Sequence, residues 1–415
     1  MFLDLGVSEA KLKACTRLLC AILKSNYVKG KNIRYKLISS PIGGGKMASM
    51  SQETAQKLFE EGAVLLFLDV PPGTEFGIDY TTWNTGEKFK GVKMIPAGIH
   101  FVHYSAVSLT QGDKAPRTGF FHCFGSREVL VKRWDPSLED IRDEEVTSEE
   151  IEEKRNTLKE LDPFLGVYPY DNFKKWVSLT NEITKDLVQK ISPLCGKIAS
   201  AAQLVPDDAS RTTSDRAKLK ERDEGSRSAE QNLPRMHSKP GTALRFSEIP
   251  MQSYPEGASP AEITRHSMDR SFTLSSLLAA HYDKEPQRIL GEIQVAFICF
   301  LIGQVYDAFE QWKQLVALLC SCETAISEYG PLYSAFIQMM HFQLKEIPAD
   351  FFVDIVSRDN FLTSTLRTFF QNIRSSEADE PLKEKCRRFQ QNLTKKYRWD
   401  FESEPDDEAP IIVEL

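Results

Sequence analysis

Three histidines, His100, His103 and His122, come closest in this sequence to a metal site. Small β-barrels of the cupin type bind a metal ion with a His-x-His pair, because residues two apart on a strand share a face. The spacing here is His-x-x-His, and residues three apart point to opposite faces unless a β-bulge intervenes. The pattern therefore favours cross-strand packing. A metal-dependent, cupin-like β-barrel enzyme that uses His122 with His100 or His103 is the alternative function.

Two further motifs resemble ligand sites without completing them. Gly43–Lys46 (GGGK) looks like part of a phosphate-binding loop, but position 40 is Ser where that loop requires Gly, and position 47 is Met where it requires Ser or Thr. Cys320 and Cys322 are two apart in a helical pattern, so their side chains diverge around the helix axis. We interpret them as a core thiol and a surface thiol. Neither motif is expected to bind a metal ion or a cofactor.

Aromatic and acidic residues give the remaining candidates. Residues 117–124 (RTGFFHCF) resemble the aromatic strand of RNA-recognition modules, whose rings stack on bases, but a Thr separates the basic residue from the Gly. Phe120 and Phe124 fit a buried strand better, and direct RNA contact stays a third hypothesis. Glu75 and Asp79 lie in a turn region, where Asp79 is expected to bind backbone amides. No residue is assigned a catalytic role.

The composition of the 415-residue chain is typical of a globular protein of two or three domains, with 41% hydrophobic and 27% charged residues. The net charge of −7 argues against nonspecific nucleic-acid binding as the main activity, because phosphate neutralisation needs clustered Lys and Arg. The eight cysteines lack the even spacing of a disulfide framework, which indicates reduced thiols in the nucleus or cytosol. The longest apolar run, Val295–Ile302, is far shorter than the roughly 20 residues of a membrane span. A protein partner is the expected ligand.

The N-terminal half would position these candidates on short strands separated by the turns Pro-Pro-Gly, Asn-Thr-Gly and Pro-Ala-Gly. The strand-like runs are Ala63–Val70, Phe89–Ile95, Ile99–Tyr104, Gly119–Phe124 and Val129–Trp134, of which the last two are predicted to form a hairpin. This spacing predicts a β-sandwich-like domain over residues 50–138. Met47 or Met50 could be a natural start, which would place residues 1–49 outside the fold as an extension. Whether that extension belongs to the working protein stays open.

Residues 139–195 form an acidic segment and a helical connector. Thr147–Glu150 (TSEE) is a capping box that starts a helix, and Asp162-Pro163 ends it. The composition then shifts to Ser, Thr, Arg, Asp and Glu with few apolar residues. We assign residues 196–245 to a disordered linker that divides the protein in two.

The second half, residues 246–399, is predicted to be an all-helical domain. Ser259–Glu262 (SPAE) combines an N-cap Ser with Pro at the first and Glu at the third helical position. Apolar residues follow at spacings of three, four and seven without a fixed-period repeat, which favours an irregular bundle or a short superhelix. The expected fold class is therefore α+β and multi-domain.

Residues 400–415 consist of an acidic spacer and a short β-prone strand. A terminal apolar strand after a solvated spacer can add to the edge of another protein's sheet. The alternatives are that it folds back on its own β-domain or is frayed. The residues of the proposed donor strand are Pro410, Ile411, Ile412, Val413, Glu414 and Leu415.

Five sets of residues resemble the eukaryotic AAR-two splicing-factor family, assembly factors of the U5 small nuclear ribonucleoprotein. They are Gly73–Asp79, Gly91–Pro96 with Gly98–Phe101, Pro169–Tyr170 with Lys174–Trp176, Pro255–Gly257 with Ile263–Thr264, and Glu346–Asp354. The resemblance covers about residues 50–415, interrupted by the linker, and residues 1–49 depart from it. It implies an N-terminal β-sandwich-like domain and a C-terminal all-helical domain.

The resemblance also implies a non-enzymatic task without a cofactor. The family is expected to bind the large central scaffold protein of the spliceosome through its RNase H-like and Jab/MPN-like domains. It would keep the spliceosomal RNA helicase off while the particle matures between cytoplasm and nucleus. Carried onto this chain, strand pairing with the scaffold would fall to Pro410–Leu415. In the linker, Arg211–Ser214 (RTTS) could be a basophilic kinase site, where phosphate on Ser214 would change the local charge and could release a partner.

Overall fold

The computed structural model describes residues 52–107, 114–143, 146–201, 204–206, 236–347 and 361–402. Its first part begins with helix α1 (Gln52–Glu61) and continues as short strands. The longer ones are β1 (Ala63–Leu68), β2 (Glu75–Ile78), β3 (Thr81–Asn84), β4 (Gly91–Ile95), β5 (Gly98–Ser105), β6 (Thr118–Phe124) and β7 (Val129–Asp135). Shorter strands follow at β8 (Asp140–Ile141), β9 (Leu165–Val167) and β10 (Ile198–Ala199).

These strands form two five-stranded sheets whose inner faces share a hydrophobic core. The first sheet has the order β8-β7-β1-β4-β9, and the second has the order β10-β6-β5-β2-β3. Between the sheets, the ring of Phe67 in β1 lies 5.2 Å from Phe76 in β2 and 5.6 Å from Tyr104 in β5. The prediction of an N-terminal β-sandwich-like domain is confirmed.

Strand β1 is apolar at every position because the first sheet is covered on both faces. Its Leu65 and Phe67 belong to the core between the sheets, whereas Leu66 and Leu68 belong to a second cluster on the outer face. Strands buried on both faces have no reason to alternate apolar and polar residues. The connector helices are α2 (Ser148–Asn156), α3 (Leu158–Leu161), α4 (Phe173–Thr180) and α5 (Lys185–Ile191). Side chains of α2 and α3 cover this outer face.

The hairpin predicted for β6 and β7 is wrong, because the two strands lie in different sheets. β6 pairs with β5 and β10, and β7 pairs in parallel with β1. The turn between them has Arg127 in the left-handed region at φ 58°. Ser126 and Arg127 donate hydrogen bonds to the carbonyl groups of Glu61 and Glu60 at the end of α1. These bonds anchor the turn where the chain crosses from one sheet to the other.

The sheets continue beyond residue 138, where the sequence placed the end of the β-domain. β8 and β9 are the two edges of the first sheet, and β10 is an edge of the second. Strands of two or three residues show no periodicity that could reveal them. The β-fold therefore extends through the predicted connector to residue 199.

The C-terminal part is helical in its described residues from 260 to 347 and from 361 to 397, which confirms the all-helical prediction. Its helices are α6 (Pro260–Met268), α7 (Ser271–His281), α8 (Arg288–Leu301), α9 (Tyr306–Cys320), α10 (Glu323–Glu328), α11 (Gly330–Glu346), α12 (Phe361–Ser375) and α13 (Glu380–Tyr397). Ser259 and Glu262 make the predicted capping box at the start of α6. Helix α8 is buried along nearly its whole length and forms the centre of this core. No helix in the described part of the chain is long and apolar enough to cross a membrane.

The two domains meet along the outer face of the second sheet. Phe101 of β5 and Phe121 of β6 belong to the same buried cluster as side chains of α4 and α8. Trp176 of α4 donates from Nε1 to Ile99 O at 2.7 Å. The helical core therefore continues into the sheet.

Both ends of the predicted linker, residues 196–245, take part in the fold. At its start β10 pairs with β6, and Ile198 is buried. β11 (Leu204–Pro206) pairs with β12 (Met236–Ser238). The sequence boundary was too wide because few apolar residues mark these short pairings.

The predicted tail also begins later than residue 400. Phe401 is 2% exposed, and its ring lies 4.9 Å from that of Phe370 in α12. The donor strand Pro410–Leu415 lies outside the described residues, as do Ser214 and the extension 1–49 with its GGGK motif.

Candidate functional site

His100 is engaged at both ring nitrogens. Its Nδ1 lies 2.7 Å from Asp79 Oδ2, and its Nε2 donates to Pro96 O at 2.9 Å. Asp79 Oδ2 also accepts from Tyr168 Oη at 2.5 Å, and Oδ1 accepts from Phe101 N at 2.9 Å. Burial and the Asp79 carboxylate raise the pKa of Tyr168 far above its ordinary value, so the hydroxyl stays a donor. We call these contacts the Asp79 network.

The Asp79 network corrects the role predicted for Asp79. The carboxylate binds one backbone amide, as expected, but that amide belongs to β5 and not to the turn that contains Asp79. The residue itself is buried, with a left-handed backbone at φ 53°. Its side chain therefore ties the end of β2 to β5 and to Tyr168.

His103 points to the opposite face from His100, as the spacing predicted. It is 0% exposed, and its ring stacks on Phe101 with 5.9 Å between centroids. Burial, aided by the charge of Arg117, holds the pKa of His103 well below its ordinary value. The ring is therefore neutral at pH 7. Gly77 makes room for it, since a Cβ at that position would overlap ring atoms Cε1 and Nε2.

His122 lies directly opposite His100 on the neighbouring strand, which is one of the pairings that the metal hypothesis required. Its Nε2 is 2.7 Å from Glu128 Oε1, while His100 is bound to Asp79. In the parts of the chain that the structure describes, no group of three His, Cys, Asp or Glu side chains is placed to hold a metal ion. The geometry gives the cupin-like enzyme no support.

Burial decides two further predictions. Phe120 and Phe124 are buried in the core between the sheets, as predicted, so their rings offer no surface on which a base could stack. The surface position predicted for one thiol of the Cys320–Cys322 pair is wrong, because both are buried. α9 ends at Cys320, so Cys322 lies beyond the helix and the helical angle no longer applies. Burial raises the pKa of Cys322 to about 12.

Arg117 joins the second sheet to the helical domain. Its Nη2 donates to Glu75, and its Nη1 donates to Ile302 O at 2.8 Å, next to the end of α8. Lys114 donates to the other oxygen of Glu75. Burial by itself would raise the pKa of Glu75, but the charges and hydrogen bonds of Arg117 and Lys114 bring it below the ordinary value. Glu75 is therefore an ionised partner in this joint.

Helix α4 contacts both domains and completes the joint. Lys175 Nζ lies 3.0 Å from Glu346 Oε2 in α11. Just beyond α4, Gln294 of α8 accepts from Glu182 N at 2.9 Å and donates to Asn181 Oδ1 at 2.9 Å. These contacts hold the sheet and the helices together through polar groups as well as the shared core.

Sequence reasoning missed Tyr168 and Arg117 as members of these polar clusters. The partner of Tyr168, Asp79, is 89 positions away, and Arg117 is 185 positions from Ile302. No local pattern links residues at such distances. The signal that could have been used is the unusual Thr between Arg117 and Gly119, which takes Arg117 out of the RNA-binding pattern.

A groove of about 330 Å³ opens where α4 passes the turn between β4 and β5. Its lining is mainly apolar and includes Ile99, Phe173, Trp176 and Val177. Val177 is 44% exposed. His100 also reaches the lining, but its ring nitrogens are engaged by the Asp79 network. The groove therefore presents a mainly apolar surface, and the imidazole that reaches it has no free ring nitrogen.

Comparison with known proteins gives the same two-part division. The model of the AAR2 N-terminal domain matches residues 61–193, and that of the AAR2 C-terminal repeat region matches residues 246–402. The chain is 48% identical over 376 residues to the human protein AAR2 homolog, which covers 88% of this chain and 97% of the relative. The homolog from Caenorhabditis elegans is 42% identical over 365 residues, covering 85% of this chain and 98% of the relative.

A more distant relative comes from Saccharomyces cerevisiae and is named A1 cistron-splicing factor AAR2. It is 24% identical over 317 residues, covering 74% of this chain and 82% of the relative. The resemblance derived from the sequence motifs is thus confirmed by both domain models and by relatives matched over most of their length. This chain belongs to the AAR2 family.

Proposed function

We propose that this chain is a pre-mRNA splicing factor that acts without enzymatic activity, as an assembly factor for the U5 small nuclear ribonucleoprotein. The name of the yeast relative supports the splicing role. The non-enzymatic part of the proposal rests on one observation, which is that the acid–base side chains of the sheet domain serve in buried structural contacts. Glu75, Asp79, His100 and His103 are all buried, and all lie in or beside the joint between the domains. Function then depends on the surface of the molecule.

The proposed partner is the large central scaffold protein of the U5 particle, bound through its RNase H-like and Jab/MPN-like domains. This chain would occupy that protein during assembly in the cytoplasm and keep the spliceosomal RNA helicase off until maturation in the nucleus. A protein interface of standard size buries roughly 1,600 Å² in total. Two domains joined by a shared core support this role, because they present an extended surface that can cover a competitor's binding site.

Within this proposal, Pro410–Leu415 adds as a strand to a sheet edge of the scaffold, where main-chain hydrogen bonds supply the affinity. The packing of Phe401 on Phe370 supports it, because this contact fixes the chain to the helical domain at residue 401, shortly before the proposed strand. Phosphate on Ser214 would weaken the complex through added negative charge.

Co-purification with the scaffold tests the proposal. The full chain should recover the scaffold from cell extract without the helicase, and recovery of all three in one complex would contradict exclusion. Replacing both Ile411 and Val413 with Pro should lower affinity about tenfold or more, because Pro removes two backbone donors. Glu414→Gln is the matched control and should bind like the parent.

The melting temperature should be the same for the parent and both tail variants, since the substituted residues lie beyond the packed Phe401. Equal affinity of the double Pro variant and the parent would exclude strand donation. Ser214→Glu tests the regulatory part separately, and scaffold binding as tight as that of the parent would remove it.

A further inference from the structure

Four exposed cations lie at the end of α13 and at the end of α11, two helix ends that are in contact. They are Lys345, Lys395, Lys396 and Arg398, which we call the basic patch. Among the described residues, none of the four makes an ion pair with a carboxylate. Earlier in α13, by contrast, Arg387 and Arg388 both bind Glu384. Four positive charges without a carboxylate partner in the described ranges are unusual in a chain whose net charge is −7.

Lys345 and Lys396 connect the two helix ends of the patch. Burial and the charges of Lys345 and Lys396 together lower the pKa of His341, so both lysines lie close to that ring. Lys396 Nζ is also 2.8 Å from Tyr397 Oη, and that hydroxyl donates to Leu344 O in α11. Lys345 of α11 and Lys396 of α13 therefore lie at the same surface, and Lys395 and Arg398 are their exposed neighbours in sequence at the end of α13.

The last described residues of the chain, 398–402, lie beside the end of α13. Arg398 has a left-handed backbone at φ 59°, which ends α13. The ring of Trp399 then stacks on Tyr397 at 4.8 Å, and Phe401 packs on Phe370. A short chain of ring contacts thus connects the last helical turn to residue 401.

The segment that begins at this point is acidic. Residues 402–408 (ESEPDDE) contain five acidic residues and no basic one. From Glu402 onward, six residues can span at most roughly 20 Å, at about 3.3–3.6 Å each. The segment therefore starts next to the basic patch and has the length to lie across it.

We propose that the acidic segment 402–408 docks on the basic patch of the same chain. Charge complementarity and the exit point at Phe401 favour this occupant, because a tethered segment is present at an effective concentration in the millimolar range. Exposed ion pairs are individually weak, so the contact is reversible and sensitive to salt.

Docking would keep Pro410–Leu415 close to the end of α13 until a partner takes it, a consequence that rests on the proposed function. An unpaired apolar strand is prone to add to unintended sheet edges. A docked spacer limits the reach of the strand. The scaffold then gains the strand only by displacing the acidic segment from the patch.

Carbodiimide cross-linking of the full chain, followed by mass spectrometry, tests the docking without any partner. We expect intramolecular bonds between Lys345 and carboxylates of segment 402–408. Their yield should fall about threefold or more from 0.1 M to 1 M salt, as the Debye length shortens from about 10 Å to about 3 Å. Cross-links spread evenly over distant exposed lysines such as Lys57, or found mainly between two copies of the chain, would overturn the proposal.

Paired variants identify the patch itself. Lys395→Gln/Lys396→Gln should lower the yield at Lys345 about threefold, because it removes half of the attracting charge. Arg387→Gln/Arg388→Gln removes the same charge from the same helix and should leave the yield unchanged. Equal yields in the two variants would refute docking on the patch. The proposal would also be refuted if the parent gave no cross-link but bound a single-stranded RNA, and Lys395→Gln/Lys396→Gln lost that binding. That result would assign the patch to nucleic acid.

A second measurement separates this inference from the proposed function. If the scaffold binds the tail, Lys395→Gln/Lys396→Gln should raise the association rate about twofold to threefold, because the segment no longer has to be displaced. An unchanged rate would refute the restraint on the strand. If the scaffold does not bind at all, the proposed function fails, whereas the cross-links still decide whether the segment docks.

Discussion

Replacing Gly77 with Ala should destabilise the protein by about 2 kcal/mol, because the added methyl group enters space that His103 fills. A Cβ at position 77 overlaps two ring atoms of His103 and lies 2.8 Å from Thr81 O. The ring has no room to withdraw, since it is completely buried and stacks on Phe101. The backbone contributes little to the cost, because Gly77 is not in the left-handed region.

Urea unfolding of the full chain gives the measurement, and Gly86→Ala gives the matched control. A Cβ at Gly86 meets no atom within 4 Å, so this change should leave the free energy of unfolding within about 1 kcal/mol of the parent. The double variant Gly77→Ala/His103→Ala should lose about 1 kcal/mol less free energy of unfolding than the sum of the losses in the two single variants, because the methyl group then enters vacated space. Equal stability of Gly77→Ala and Gly86→Ala would refute the packing of His103 against β2.

Three further changes test the same joint. Below about pH 6.5 the unfolded chain takes up a proton at His103 that the folded protein excludes, so the free energy of unfolding should decrease as the pH is lowered. His103→Leu should reduce this slope by up to about 1.4 kcal/mol per pH unit, measured by urea unfolding between about pH 7 and pH 5. Arg117→Gln should lower the free energy of unfolding by about 3 kcal/mol, because it leaves its buried carboxylate partner with a single cation; a loss below about 1 kcal/mol would contradict that pairing. Asp79→Asn should cost about 2 kcal/mol in the same assay through weaker hydrogen bonds, whereas Asp69→Asn, at an exposed left-handed position, should cost less than about 1 kcal/mol.

Local chemistry explains which parts of the fold could be predicted. The capping box at Ser259 lies within four residues, and strands β1 and β5 each lie within eight. The complete pattern is therefore contained in a short stretch of sequence. The division into a sheet domain and a helical domain follows from the same short-range patterns. The opposite faces of His100 and His103 needed nothing beyond the period of a strand.

Pairings between distant segments could not be predicted in this way. The parallel pairing of β1 with β7 joins residues that are 65 apart, such as Val64 and Val129, and the turn after β6 resembles a hairpin turn in its residues. The crossing between sheets depends on hydrogen bonds to the end of α1, which only the folded chain brings near. The surface position predicted for one of the two thiols is wrong for a related reason. Helix α9 ends at Cys320, so the angle between residues two apart on a helix does not apply to Cys322.

Strand β2 shows how one of the five sets that carry the family resemblance, Gly73–Asp79, takes part in the joint. Phe76 and Ile78 face the other sheet and belong to its core, whereas Glu75 and Gly77 face outward to Arg117 and His103. All four positions are buried, so neither face of this strand is exposed to solvent. In the motif Gly73–Asp79, the side chains of Glu75, Phe76, Ile78 and Asp79 are all buried against defined neighbours. For a protein proposed to act through its surfaces, such residues matter because they set how the sheet domain and the helical domain are placed against each other. It follows that Gly77→Ala or Arg117→Gln should reduce partner binding in proportion to the loss of folded protein, whereas changes in Pro410–Leu415 should reduce binding with the fold intact.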